Sequence, residues 1–81
     1  MKLIVQIPCL NEEETLAATL ADIPRQVDGI DQVEVLIIDD GSTDNTSQVA
    51  RQHGADHIVR FAQNRGLGHA FKAGFDTALK L

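Results

Sequence analysis

Aliphatic residues fall along this chain in two alternating arrangements, short unbroken runs and singles at helical spacing. Lys2–Ile7 is a run, read as a strand that Pro8 stops. "NEEETLAATLADI" then places Leu16, Leu20 and Ile23 at helical spacing and predicts a helix over 11–23 with one buried face. Asn11 is expected to cap it, Glu14 to complete a capping box, and the acidic first turn to suit the helix dipole. Pro24 ends that helix, and the polar "RQVDGIDQ" connects it to a second strand, Val33–Asp39. From Val35 on this strand is apolar enough to lie mid-sheet with both faces covered. Gly41-Ser42-Thr43 turns the chain into a second helix, Asp44 through His53, with Gly54 as its C-cap. "DHIVRF" reads as a shorter third strand and "AQNRGLG" as a loop. His69 to Leu81 is predicted as a third helix with Phe71, Phe75, Ala78 and Leu79 on one face, and Gly74 lets it sit close to the sheet.

The alternation β-α-β-α-β-α is that of a parallel sheet with helices on its faces. Ligands of such sheets bind beyond the carboxyl ends of the strands. Three polar stretches fall there, "PCLNEE", "DDGSTD" and "QNRGLGHA", and they are expected to converge on one crevice. No internal repeat, low-complexity tract or linker interrupts the order. A three-strand sheet is expected to leave an apolar edge uncovered, the mark of half of a larger domain.

Composition narrows the partners. With 81 residues the chain makes one small domain or a piece of a larger one, and 43% hydrophobic with 23% charged residues is ordinary for a globular protein. The longest aliphatic run, Val35 to Ile38, is far below the roughly 18 residues of a membrane-spanning helix. "MKLIVQIP" lacks the apolar stretch of a signal peptide, and a single cysteine forms no internal disulfide, so the expected location is cytoplasmic. Seven Lys and Arg against twelve Asp and Glu give a net charge of −5, which opposes a nucleic-acid partner and favours a soluble small molecule.

Asp39 and Asp40 are the sharpest chemical signal. At the end of a buried strand two adjacent carboxylates require donors, and the period of two sends them to opposite faces. One can then face the crevice while the other braces the turn. An acceptor-only group there suits the imino N–H of a pyrimidine, the N–H edge of guanine, a ribose hydroxyl or a metal; the plainer alternative is that the acids merely cap the second helix. A calcium loop fails, because its sixth position is Asn45 and its twelfth Arg51. A dinucleotide fingerprint fails because Phe71 occupies the place of the third glycine, and no Gly-Lys-Ser/Thr marks a phosphate loop. Gly66 and Gly68 still allow close approach of a ligand, or form an ordinary turn into a helix. Glu12 is open between a surface charge and a ribose ligand. Cys9 is read as a packing residue, His53 and His57 as solvated, and His69 as the one histidine beside the crevice.

Taken in order, "IPCLNEEETL", "VLIIDDGSTDNT" and "NRGLGHAFKAGFDTAL" closely resemble the amino-terminal half of inverting family 2 glycosyltransferases, nearest the dolichol-phosphate mannosyltransferase type. The resemblance implies a GT-A fold, that is, a Rossmann-like three-layer α/β/α with a mostly parallel sheet, of which residues 1–81 are the N-terminal nucleotide-sugar-binding part. It implies that Pro8, Leu10 and Glu12 line the base and ribose pocket and that Ile38 and Asp40 flank the base. Asp40 would accept a hydrogen bond from the base's N–H edge while Asp39 orients the turn, and Asn64, Arg65, Gly66 and Gly68 would close the other wall. Leu10 stands where relatives often carry an aromatic.

The family's Asp-x-Asp, which holds magnesium or manganese against the diphosphate, has no counterpart in these residues, and neither does its catalytic carboxylate. No catalytic residue and no metal ligand is therefore assigned. The chain is expected to be truncated before that motif and inactive alone, the full-length enzyme to need a divalent cation, and transfer to run with inversion from a nucleotide-diphosphate sugar to a lipid-phosphate or glycan acceptor. Membrane association, at the inner face, would come through missing regions. Of the rivals, a sugar-phosphate nucleotidyltransferase needs a basic Gly-rich loop where "CLNEEE" stands. A non-catalytic nucleotide- or Mg-binding module of the receiver kind needs an aspartate where "VRFAQN" stands.

Overall fold

Val35 and Ile37 face one way from the second strand and Leu36 and Ile38 the other, and this alternation builds two cores. The computed structural model describes residues 1–81, with β1 Lys2–Cys9, α1 Leu16–Ala21, β2 Gln32–Asp39, α2 Thr46–Gln52, β3 His57–Arg60 and α3 Leu67–Ala78. The sheet is parallel throughout in the order β1-β2-β3. On one face Val35 and Ile37 pack with Cys9 against Leu16 and Leu20 of α1 and Ala50 of α2; on the other, Leu36 and Ile38 pack against Ala70 of α3. Each large aliphatic side chain so enclosed contributes about 1.5–3 kcal/mol. The three-layer α/β expectation holds, with β2 in the centre, and β1 and β3 each leave one edge unpaired.

The first helix is much shorter than its apolar spacing predicts. Asn11 does not cap it: its φ of 53° is left-handed, and α1 starts at Leu16 after a Thr15 cap that makes no side-chain bond. The N–H groups of Asn11, Glu12 and Glu13 are instead taken by Ser42, Thr46 and Asp44 across the molecule, which removes the reason for those residues to be helical. Gly54 does end α2 as expected. Its φ is 94°, and the Ala55 N–H returns 3.0 Å to the Ala50 carbonyl in a Schellman closure.

In α3 the face that carries the large apolar residues is not the one that meets the sheet. Phe71, Phe75 and Leu79 are 53%, 59% and 72% exposed, and of that group only Ala78 packs on the core. The buried residues are Ala70 and Gly74. A β-carbon at Gly74 would fall 2.4 Å from Gln6 Oε1 and 2.9 Å from Ile38 Cδ1, so the helix lies too close to the sheet for bulk, and its small-residue stripe turns inward. His57 also departs from its solvated reading, being half-buried with Nε2 2.8 Å from Glu34 Oε1.

Glu34 additionally accepts from Lys2 at 3.4 Å and from Gln32 at 2.6 Å, so one carboxylate joins all three strands at the amino end of the sheet. The His57 hydrogen bond, ahead of Lys2, holds its pKa below the ordinary 4.5. A carboxylate with a depressed folded pKa stabilises the fold above its unfolded value, and that stabilisation is lost as pH falls through the folded value. Urea unfolding followed between about pH 5 and pH 3 is expected to show a shallower acid-side loss of stability for Glu34→Gln than for the parent chain.

Candidate functional site

At the carboxyl end of β2 the two aspartates part company. Asp39 turns to the α1/α2 face, fully buried, and accepts the Ser42 N–H at 2.9 Å and the Ser47 hydroxyl. Asp40, 5% exposed, turns to the other side. It accepts the Arg65 N–H at 2.7 Å, the Gly66 N–H at 3.0 Å and the Asn64 side-chain amide at 3.1 Å. Neither acid has a cation within ion-pair distance; N–H and O–H dipoles alone meet the charge.

The loop between these acids and α2 also fastens the β1–α1 loop. Ser42 Oγ accepts the Asn11 N–H and Thr46 Oγ1 the Glu12 N–H, both at 2.9 Å, while Asn11 Oδ1 accepts the Thr43 N–H at 2.8 Å. Asp44 takes the Glu13 N–H at 3.3 Å, and the Thr46 hydroxyl, foremost among its donors, keeps its pKa below the ordinary range. Gly41, with φ 78°, supplies the crossing: a β-carbon there would fall 2.4 Å from the backbone N of Asn64 and 2.4 Å from the carbonyl carbon of Gln63.

Three loops thus close around a cleft of about 330 Å³. Of the predicted site residues, Pro8, Leu10, Glu12, Asp40, Asn64 and Gly66 line it. Ile38 lies beneath, 1% exposed in the core, and Asp39 is on the opposite face. Arg65 contributes its N–H to Asp40 without lining the cleft, and Gly68 stands in the first turn of α3 with open space around its α-carbon. Cys9, Leu67 and Ala70 complete the wall. Burial, then the charges of Glu12 and Asp39, push the Cys9 thiol up to about 12, so it is a neutral packing group. His69 is not in the wall; its ring sits edge-on to Phe61 at 5.3 Å.

Gly41, Ser42, Asn11 and Thr46 hold the cleft's shape and were not singled out as site residues from the sequence. Their signal lay in "GSTDNT", a run of short oxygen-bearing side chains directly behind a glycine. No three acid, imidazole or thiol groups converge, and the carboxylates of Asp39 and Asp40 are already engaged by protein donors, so these residues do not fit a divalent cation. A second, larger hollow of about 600 Å³ lies beside α2 and contains none of the predicted site residues.

A parallel sheet with helices on both faces and a cleft at its carboxyl rim places the molecule among open α/β folds that bind ligands beyond the strand ends. Residues 4–80 match the glycosyl transferase family 2 model, and the chain belongs to that family. It is 44% identical over 70 residues to an uncharacterised glycosyltransferase of Mycobacterium bovis, covering 86% of this chain and 28% of that protein. It is 34% identical over 84 residues to the undecaprenyl-phosphate mannosyltransferase of Micrococcus luteus, covering 99% of this chain and 33% of that one. Among solved structures it superposes with a TM-score of 0.66 and 34% identity on glucosyl-3-phosphoglycerate synthase of Mycobacterium tuberculosis, over 88% of this chain and 27% of that protein. That structure is a complex with Mn²⁺, uridine diphosphate and glucosyl-3-phosphoglycerate. The chain thus spans about a third or less of the length of these relatives. No helix of the molecule is long and apolar enough to cross a membrane.

Two substitutions probe the loop geometry. Gly41→Ala, strained in φ and clashing with backbone, is expected to cost at least about 2 kcal/mol in denaturant unfolding. Asn11→Ala should be less stable than Asn11→Gly by about 1 kcal/mol in the same measurement, since both lose the Thr43 bond but only glycine keeps the left-handed backbone without strain.

Proposed function

We propose that the cleft holds the nucleoside of a nucleotide-diphosphate sugar. The complete enzyme would pass the sugar, with inversion, to a lipid-phosphate or glycan acceptor. The observation that carries this reading is the state of Asp40. A carboxylate offers about four acceptor positions, and the protein fills three, two on Oδ2 and one on Oδ1. The remaining one belongs to a group that lines the cleft, and it suits the ring N–H of uracil or guanine. Pro8 and Leu10 supply the apolar wall for the base, Leu10 being 43% exposed, and Glu12 stands at the rim for a ribose hydroxyl. Asn64 and Gly66 form the facing wall. Ile38, Asp39, Arg65 and Gly68 take supporting places behind these, Asp39 by fixing the turn and Arg65 by fixing Asp40.

The relatives named as lipid-phosphate sugar transferases support the acceptor class, and the manganese and uridine diphosphate in the structural neighbour support a divalent cation in the full-length enzyme. Such a cation polarises the departing diphosphate. In this reading its ligands and the catalytic base lie outside residues 1–81. These residues are then the N-terminal, donor-binding part of the transferase domain and have no turnover of their own. The enzyme would work in the cytoplasm, at the inner face of the membrane where its acceptor is lipid-linked. A non-catalytic nucleotide-binding module is the second reading, and the same cleft favours it if no transferase activity accompanies the full-length protein.

Calorimetry with uridine and guanosine diphosphates tests the site. One of the two is expected to bind, about 10–100-fold more weakly to Asp40→Asn, which removes a hydrogen bond to a charged acceptor. Leu10→Tyr should tighten the same nucleotide by about 2–10-fold through stacking. Because a gain of affinity cannot arise from misfolding, it separates a base contact from damage to the loops. Affinity unaltered in both variants would place the nucleotide elsewhere.

A further inference from the structure

Three of the seven Lys and Arg residues sit within ion-pair distance of a carboxylate, Lys2 with Glu34, Arg25 with Asp56 and Lys72 with Asp76. Arg51 and Arg60 do not, although acids outnumber bases in the chain by twelve to seven. Both line one hollow of about 600 Å³ between α2 and the free edge of β3. Two guanidiniums turned into a common concavity, in a protein with acids to spare, are an unmatched local charge.

The surroundings keep that charge available. Arg60 pairs in register with Asp39 across the sheet, so both side chains stand on the same face, yet the Asp39 carboxylate is committed to Ser42 and Ser47. One nitrogen of Arg60, Nη2, donates to the Ser42 carbonyl at 3.1 Å, which fixes the plane of the guanidinium and leaves its other donors free. The Arg51 side chain forms no hydrogen bond or ion pair and stands in the last turn of α2, at the far end from Asp44. The Asp44 carboxylate, the one acid in the lining, is occupied by Thr46 and the Glu13 N–H. Asn45, Gln48 and Gln52 add uncharged amide donors, and Ile58 gives a small apolar floor.

We propose that this hollow is a second ligand site, which takes a phosphate-bearing anion between Arg51 and Arg60. A planar guanidinium presents parallel N–H donors at the spacing of two phosphate oxygens, and two of them can divide the oxygens of one phosphate. The hollow is roomier than a bare phosphate requires, and its polar wall suits a phosphate ester or diphosphate. It lies on the α1/α2 side of the sheet, whereas the nucleotide cleft lies on the α3 side, so both can be filled together. The inference is independent of what the cleft binds.

Inorganic pyrophosphate is the probe. Followed by amide resonances of the 81-residue chain, its titration is expected to shift Gln48, Arg51 and Gln52 and to leave Asn64 and Gly66 in place. The dissociation constant should rise at least tenfold in Arg51→Gln and in Arg60→Gln. Arg51 is exposed and unpartnered, so Arg51→Gln should melt like the parent chain and keep the test valid if Arg60→Gln is unstable. Lys80→Gln, which removes an unpaired cation from the α3 side, should bind like the parent. A second arm compares co-sedimentation with vesicles of phosphatidylcholine alone and with added phosphatidic acid; Arg51-dependent binding only to the latter assigns the phosphate to a lipid headgroup. The proposal is overturned if neither probe binds, if Arg51→Gln binds as tightly as the parent, if Lys80→Gln loses as much as Arg51→Gln, or if the shifts fall on Asn64 and Gly66.

Discussion

One carboxylate sets the form of the site. Asp40 ends the central strand at the point where the chain leaves the core, and its two oxygens draw in a side-chain amide and two main-chain N–H groups from a segment more than twenty residues away in sequence. Buried carboxylates are costly without donors, and those donors carry the 64–66 loop to the rim of the sheet. The same requirement explains how a run of aliphatics can lead into adjacent acids. Each acid leaves the strand on its own side and finds its own hydrogen bonds, so the pair shares no environment.

The second link is made by short oxygen side chains. Ser42, Thr46 and Asp44 take three successive main-chain N–H groups of the β1–α1 loop, and the regular helix starts only at Leu16. The β2–α2 loop is therefore a hub with a neighbour fastened on either side. The cleft between them is defined by backbone geometry before any ligand arrives.

Most of the architecture could be read from residue patterns, because β2 is apolar on both faces and only a central parallel strand satisfies that. Convergence of the three polar segments followed from topology. What the sequence concealed was local. Asn11 and Glu14 form a convincing capping pair in isolation, and nothing near them reveals that Ser42 and Thr46, some thirty residues on, claim the same N–H groups. In α3 the aromatic residues outweigh alanine and glycine on any hydrophobicity scale, so Phe71 and Phe75 define the apolar face of the sequence pattern. Distance of approach decided otherwise, and only Gly74 hinted at it. The cleft's lining was legible at Pro8, Leu10, Glu12, Asp40, Asn64 and Gly66. Gly41 reads only as a turn residue in the sequence, because a turn glycine looks the same whether or not another backbone crosses it.

Two of the three bonds that Asp40 accepts come from the main chain, at Arg65 and Gly66. The latch consequently reads the path of the polypeptide more than the identity of its side chains. Position 65 is open to drift among residues that keep an amide hydrogen, proline being the one that severs it, so the side chain there can change while the carboxylate and the loop it holds stay put.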